Sequence, residues 1–407
     1  MEKIRNRWMV AFSGIVMQLL LGTVYGWSVF KKPLMDAHGW SGPHVGLAFT
    51  FVIFFLGCAA ALGGKFVDKA GARKVATCAA ILFGLGTLIA GYANSINNLF
   101  LLWIGYGVIG GIGNGLGYIT PIAVLVRWFP DKKGVITGLA VMGFGFGSAL
   151  IGLTVPSLLT SIGITNTFYM LGVVYLLILL IAAQNLSNPP EGWVPPVCAN
   201  VKAKAACAVV NSVNLKQALG TNQFYLLWAV LFINVTAGLA LISNISPMAQ
   251  AQLGVTAVAA GSIVFVSSLF NGAGRIFWAA LSDKIGRKNV FLIMLISQIP
   301  VFLLLPKAGN IIIFGAMSCY ILSCLGGGFA TMPAFAVDTF GPKNIGGIYG
   351  KILLAWSTAG VAGPMLMEYF KKVSNSFTLA LSVAAGMLCI GIVLVSLYKK
   401  PESEVTV

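Results

Sequence analysis

The spacing of its apolar runs is what most constrains this chain. Runs near 8–30, 43–63, 75–94, 98–121, 134–159 and 165–185, and again near 222–244, 257–281, 289–306, 310–333, 346–368 and 375–397, are each long enough to cross a bilayer as a helix. Lipid offers no partner to a backbone N–H or C=O, so a crossing segment must satisfy both internally, as a helix does. Composition agrees, since 58% of the 407 residues are hydrophobic and 9% are charged. A soluble domain carries about 25% charged residues to cover its surface. The 49 glycines suit helices whose backbones approach closely in a membrane. The expected fold is an all-α membrane protein of twelve transmembrane helices.

The net charge of +16 is spread over short loops, with no basic domain outside the apolar runs, so a nucleic-acid partner is not expected. Alternate loops are strongly unequal. On the side opposite the N-terminus the loops hold only Lys31, Lys32, Lys307, Lys371 and Lys372, whereas 19 of the 26 Lys and Arg residues fall on the N-terminal side. The positive-inside rule then places both termini and the central linker in the cytoplasm. The first run is too long for a cleavable signal and no small-residue cleavage site follows it. The seven cysteines, mostly inside apolar runs, show no metal-ligand spacing, and no metal or cofactor is expected.

The linker, with Pro189, Pro190, Pro195 and Pro196, divides the chain into 1–186, 187–221 and 222–407. The two flanking parts repeat each other. Asp68, Lys69 and Gly71 recur 215 residues later as Asp283, Lys284 and Gly286; Phe129 and Lys132 recur after 211 as Phe340 and Lys343; Pro156 recurs after 208 as Pro364. Three markers at nearly one offset indicate a duplicated six-helix unit, hence two pseudo-symmetric six-helix bundles. In transporters built from repeats, the substrate site lies near the bilayer midplane between them.

One residue breaks the apolar pattern there. Arg275, in SLFNGAGRIFW, lies nine residues before Lys284, roughly 13 Å along the helix from its cytoplasmic end at 1.5 Å per residue. An unpaired guanidinium at that depth costs roughly 3 kcal/mol or more. Snorkelling over this distance is a stretch. Pairing is poor too, because Glu368, at the outer end of the eleventh run, is the one acidic residue inside a run. The expectation is a polar cavity in which Arg275 binds an anion. Asn271 and Ser268, four and seven residues earlier, lie on the same helical face. Arg275 can hold a carboxylate by two parallel N–H···O bonds, and Asn271 can donate to a hydroxyl, keto or carboxylate oxygen. Asn and Ser serve equally as interhelix glue.

GKFVDKAGARK after the second run and LSDKIGRK after the eighth resemble the loop signature of the major facilitator superfamily. RWFPDKKG at 127–134, LGTVYGWSVF at 21–30 and SLFNGAGRIFW at 268–278 resemble its oxalate/formate antiporter and monocarboxylate (lactate) transporter branch. The resemblance covers the whole chain and implies a rocker-switch carrier of small carboxylates. It implies a cytoplasmic gate at Asp68, Arg73, Asp283 and Arg287, and a cavity lined by Tyr25, Tyr118, Phe329 and Trp356 beside Arg275, Asn271 and Ser268. Asn114, one turn before Tyr118, is read as a packing residue.

Departures from that branch narrow the substrate. Oxalate carriers of the branch place a second cation, a lysine, where this sequence has Trp356, and Lys351 lies five residues earlier. Two carboxylates facing one cation would leave a desolvated charge unpaired. The lysine and aspartate that relay the proton in animal monocarboxylate transporters correspond to Val29 and Asn271. Proton coupling is therefore implied by the resemblance alone, and His38 and His44 read as solvated loop residues. The expected function is secondary transport of short monocarboxylates, L-lactate foremost and then pyruvate, coupled to protons, by a monomer in the bacterial inner membrane. An oxalate/formate-type exchanger is the alternative. A membrane enzyme would need a catalytic constellation within the bilayer, and the sequence offers none.

Overall fold

The computed structural model describes residues 6–129, 133–190, 213–341 and 345–399, almost all of them helical. Twelve spanning helices carry the fold. In the first half they are α1 (Arg7–Leu21), α2 (Gly42–Ala70), α3 (Ala72–Ser95), α4 (Gly110–Trp128), α5 (Lys133–Ser161) and α6 (Gly163–Asn185). In the second they are α7 (Asn222–Ile242), α8 (Ala257–Ile285), α9 (Arg287–Leu304), α10 (Ile311–Phe340), α11 (Leu354–Ser374) and α12 (Phe377–Leu397). Among the described residues, eleven spans are long and apolar enough to cross a membrane. The exception is α11, where Glu368, Lys371 and Lys372 enter the last two turns. A separate helix, Ile345–Ile352, precedes it, with the break at Leu353. Most of the central linker, 191–212, lies outside the described residues.

The duplication read from the loops is visible in the backbone. After α1 a tight turn, Gly22–Gly26, leads into a short helix, Ser28–His38, that contains Pro33 and ends at Gly39 with φ 66°. After α7 the chain leads into Ile245–Leu253, which contains Pro247 and ends at Gly254 with φ 65°. Gly71 between α2 and α3 and Gly286 between α8 and α9 have φ 87° and 91°. Each glycine pair is 215 residues apart, the offset of the loop signature. Glycine occupies these left-handed positions because a Cβ would strain them.

The halves meet along two seams, α5 against α8 and α2 against α11. Small residues set the distance. A methyl group on Gly145 would lie 2.8 Å from Cα of Gly272, and one on Gly152 would lie 2.6 Å from the carbonyl oxygen of Gly261. Between these two contacts the hydroxyls of Ser148 and Ser268 share a hydrogen bond of 2.5 Å. Large apolar side chains such as Phe12, Ile181, Phe277, Ile312 and Val393 point outward, which suits a surface in contact with acyl chains. Gly261→Leu is therefore expected to push the seam between α5 and α8 apart and destabilise the protein by about 1–3 kcal/mol. Gly138→Ala, with nothing within 4 Å of the added carbon, should be neutral. Thermal unfolding of the two variants in one detergent checks this.

Candidate functional site

The site begins with the close approach of three helices. Gly326 on α10 faces α8 so tightly that a methyl group there would lie 2.7 Å from Oδ1 of Asn271 and 3.1 Å from Cγ of Arg275. From the other half, a methyl group on Gly145 of α5 would lie 3.1 Å from Nε of Arg275. The guanidinium is thus held at the interface of the halves, with Arg275 2% exposed. Its Nε and Nη1 have no hydrogen-bond partner, and neither do Oδ1 and Nδ2 of Asn271. Among the described residues no carboxylate forms an ion pair with Arg275.

Aromatic rings close around it. The Cζ atom of Arg275 lies 5.4 Å from the centre of the Phe329 ring, close enough for a cation–π attraction of about 0.5–2 kcal/mol. Phe329 meets Trp356 at 4.8 Å, Trp356 meets Tyr118 at 5.1 Å and Tyr25 at 6.4 Å, and the planes are inclined at 59–70°. The Tyr118 hydroxyl is near enough to the Arg275 guanidinium to interact with it electrostatically. The Tyr25 hydroxyl and the Trp356 indole N–H face one another, both buried and without a formed hydrogen bond. This is a box of aromatic rings around one cation, with several buried donors that have no hydrogen-bond partner, an arrangement that suits a small anion with an apolar body.

Six of the seven residues expected to line the cavity come together: Arg275, Asn271, Tyr118, Tyr25, Phe329 and Trp356. Ser268 does not join them. Its hydroxyl is bound to Ser148 and to the Val264 carbonyl, so it serves the seam between α5 and α8. Asn114 donates to the Leu21 carbonyl at 2.8 Å and ties α4 to α1, in keeping with a packing role. Two further residues belong to the box. Phe144 of α5 is fully buried and packs edge-on against Tyr25, Tyr118 and Trp356 at 5.3, 5.1 and 5.8 Å. Tyr349, in the short helix before α11, is near enough to Arg275 and Tyr118 to interact with both electrostatically. Phe144 carries no sequence signal beyond an apolar residue in an apolar run. Tyr349 stands out only through its neighbour Gly350 in a helix that breaks four residues later.

The expected cytoplasmic gate is only partly visible. The Asp68 side chain lies outside those the structure describes, and Arg73 is exposed at the start of α3, in a groove with Lys74, Thr77 and Gln184. Arg287 pairs with Asp283 at 2.5 Å and reaches Asp338 of α10 at 3.3 Å. These contacts all lie within the second half. Asp338 is the partner that sequence reading missed. His38, read as solvated, instead bonds Asn94 Oδ1 at 2.8 Å and stacks on Trp40.

With this geometry in hand, comparison with known proteins is informative. The sequence profile described as "Major Facilitator Superfamily" matches residues 8–364 and 227–406. The chain is 30% identical to "Uncharacterized MFS-type transporter YhjX" of Escherichia coli over 88% of its length and 86% of that protein. It is 28% identical to the "Oxalate:formate antiporter" of Oxalobacter formigenes over 88% and 83% of the two chains. It is 25% identical to "Apicoplast pyruvate carrier 1" of Toxoplasma gondii over 69% and 62%. In fold it is similar to a D-xylose-proton symporter, with a TM-score of 0.73 at 15% identity over 98% of both chains. Twelve spanning helices in two repeated halves, a profile match along nearly the whole chain and this likeness agree on one conclusion: the chain belongs to the Major Facilitator Superfamily, as a multi-pass membrane transporter.

Proposed function

We propose that this protein is a secondary transporter of short monocarboxylates, L-lactate foremost and pyruvate next. It works in the bacterial inner membrane with both termini in the cytoplasm, as a monomer whose halves rock about the central box. The observation that carries the reading is Arg275: a buried cation with two guanidinium nitrogens that have no hydrogen-bond partner, no carboxylate partner among the described residues, and aromatic rings packed around it. A single carboxylate neutralises it by charge-assisted hydrogen bonds, joined by the Tyr118 hydroxyl. Asn271 and the Trp356 indole then have donors for a hydroxyl or keto oxygen. Phe329 and Phe144 offer the apolar surface that a methyl group needs.

Trp356 is what favours one carboxylate over two. It packs against Tyr25, Tyr118, Phe144 and Phe329 and adds bulk with no charge, so a second carboxylate would be buried without a cation. The likeness to an oxalate:formate antiporter supports exchange of small carboxylates as the second reading. Coupling to protons belongs to the first reading, with the proton entering on the substrate carboxylate or acting elsewhere than Val29 and Asn271, neither of which titrates near neutrality.

Arg275→Ala should abolish lactate counterflow in proteoliposomes and weaken binding at least about thirtyfold, the lower end of what truncating one member of a buried charge pair costs. It should keep the elution profile of the folded protein; unchanged uptake would sink the mechanism. Trp356→Lys should lower lactate transport and bring in oxalate as a competitor of labelled substrate. If the parent protein already exchanges oxalate and ignores lactate, the second reading replaces the first.

A further inference from the structure

Lys31 reads from the sequence as an outer-loop cation, one of the few on that side. In the structure it is 1% exposed. Its ammonium donates to Glu368 near the outer end of α11 and to Oδ1 of Asn244, where α7 turns into its outer helix. Asn244 is fully buried and Glu368 is 7% exposed. Asn244 is itself fixed, because its amide nitrogen donates to Ser243 Oγ at 3.0 Å and to the Ala240 carbonyl at 3.3 Å. The first half encloses the acid from a second side: a methyl group on Gly42, at the start of α2, would lie 2.9 Å from Glu368 Oε2, and one on Gly46 would lie 3.6 Å from Cγ. The other charges nearby have separate roles. Lys32 pairs with Asp36 on the exposed face at 3.0 Å, and Lys371 bears on Lys31 only electrostatically.

The pair therefore joins the halves, Lys31 from the first and Glu368 with Asn244 from the second, on the side of the box opposite the cytoplasm. We propose that Lys31, Asn244 and Glu368 form the lock of the outer gate, positioning residues that hold the carrier closed to the outside. Such a lock is strongly directional. In the closed state each charge is desolvated and depends on the other; in an outward-open state water reaches both. Removing one partner leaves an uncompensated buried charge in the closed state alone, so the balance moves toward opening. A merely structural pair would destabilise both states alike. The inference rests on the alternating-access reading above but not on the substrate.

The test is a distance across the outer face. Spin labels at Ser95→Cys, at the outer end of α3, and Gly309→Cys, in the loop before α10, with the native cysteines replaced by serine, report the separation of the halves by pulsed electron resonance in nanodiscs without substrate. The parent should show mainly the short distance. Glu368→Gln and Lys31→Gln should each lower the ratio of short to long by at least about tenfold, and the exchange Lys31→Glu with Glu368→Lys should return it toward the parent. Single variants with the parent's distribution, or an exchange variant as open as the singles, would overturn the lock. If a single variant does not fold, recovery of monodisperse protein by the exchange supports the ionic role and its failure overturns it. Unchanged lactate uptake in Arg275→Ala would defeat the substrate reading and leave these distances untouched, so the two fail separately.

Discussion

A guanidinium held away from water, with no carboxylate paired to it among the described residues, is the constraint on which the rest of this structure depends. Arg275 cannot shed its proton, and a membrane interior penalises its charge by several kcal/mol. The surroundings offset part of this cost with the Phe329 ring and the Tyr118 hydroxyl. Two of its nitrogens have no hydrogen-bond partner, and on the proposed reading that residual deficit is what a bound anion removes. The affinity of the proposed site thus has its origin in an interaction that the empty protein leaves incomplete.

Holding such a charge at the interface of the two halves demands close helix approach. Gly145 and Gly326 provide it from opposite sides, one in each half, so that neither half alone builds the pocket around α8. The hydroxyl contact between Ser148 and Ser268 lies one turn farther out on the same seam. Packing and the proposed binding therefore share one helix face, with Arg275 and Asn271 on the portion proposed as the site and Ser268 on the contact portion. Hydroxyl residues at such a face read the same in sequence whichever portion they occupy.

Much of this was legible in the sequence because it is written in local terms. Apolar run length gives the spans, loop charge gives their expected orientation, and the recurrence of Asp68, Lys69 and Gly71 gives the duplication that Gly71 and Gly286 then repeat in their backbone angles. Arg275 stood out because its context was wrong for it. What escaped were residues whose context looked ordinary. Phe144 is one apolar residue among many, and Lys31 sits beside Lys32 where a loop cation is expected. Its partner is 337 positions away, and no periodicity or motif signals a contact of that range. Asp338 was missed for the same reason, since only the fold brings α10 to Arg287.

The unbalanced charge of the box also bears on energy conversion. On the proposed reading, the empty site carries one positive charge, the site holding a monoanion alone is neutral and the site holding the anion with its proton is charged again, while Lys31 and Glu368 cancel each other throughout. A membrane potential of about 100 mV acts on a unit charge with up to about 2.3 kcal/mol. That force falls on the empty carrier and spares only a carrier loaded with the anion alone, so the response of the cycle to voltage would report whether a proton travels with the substrate.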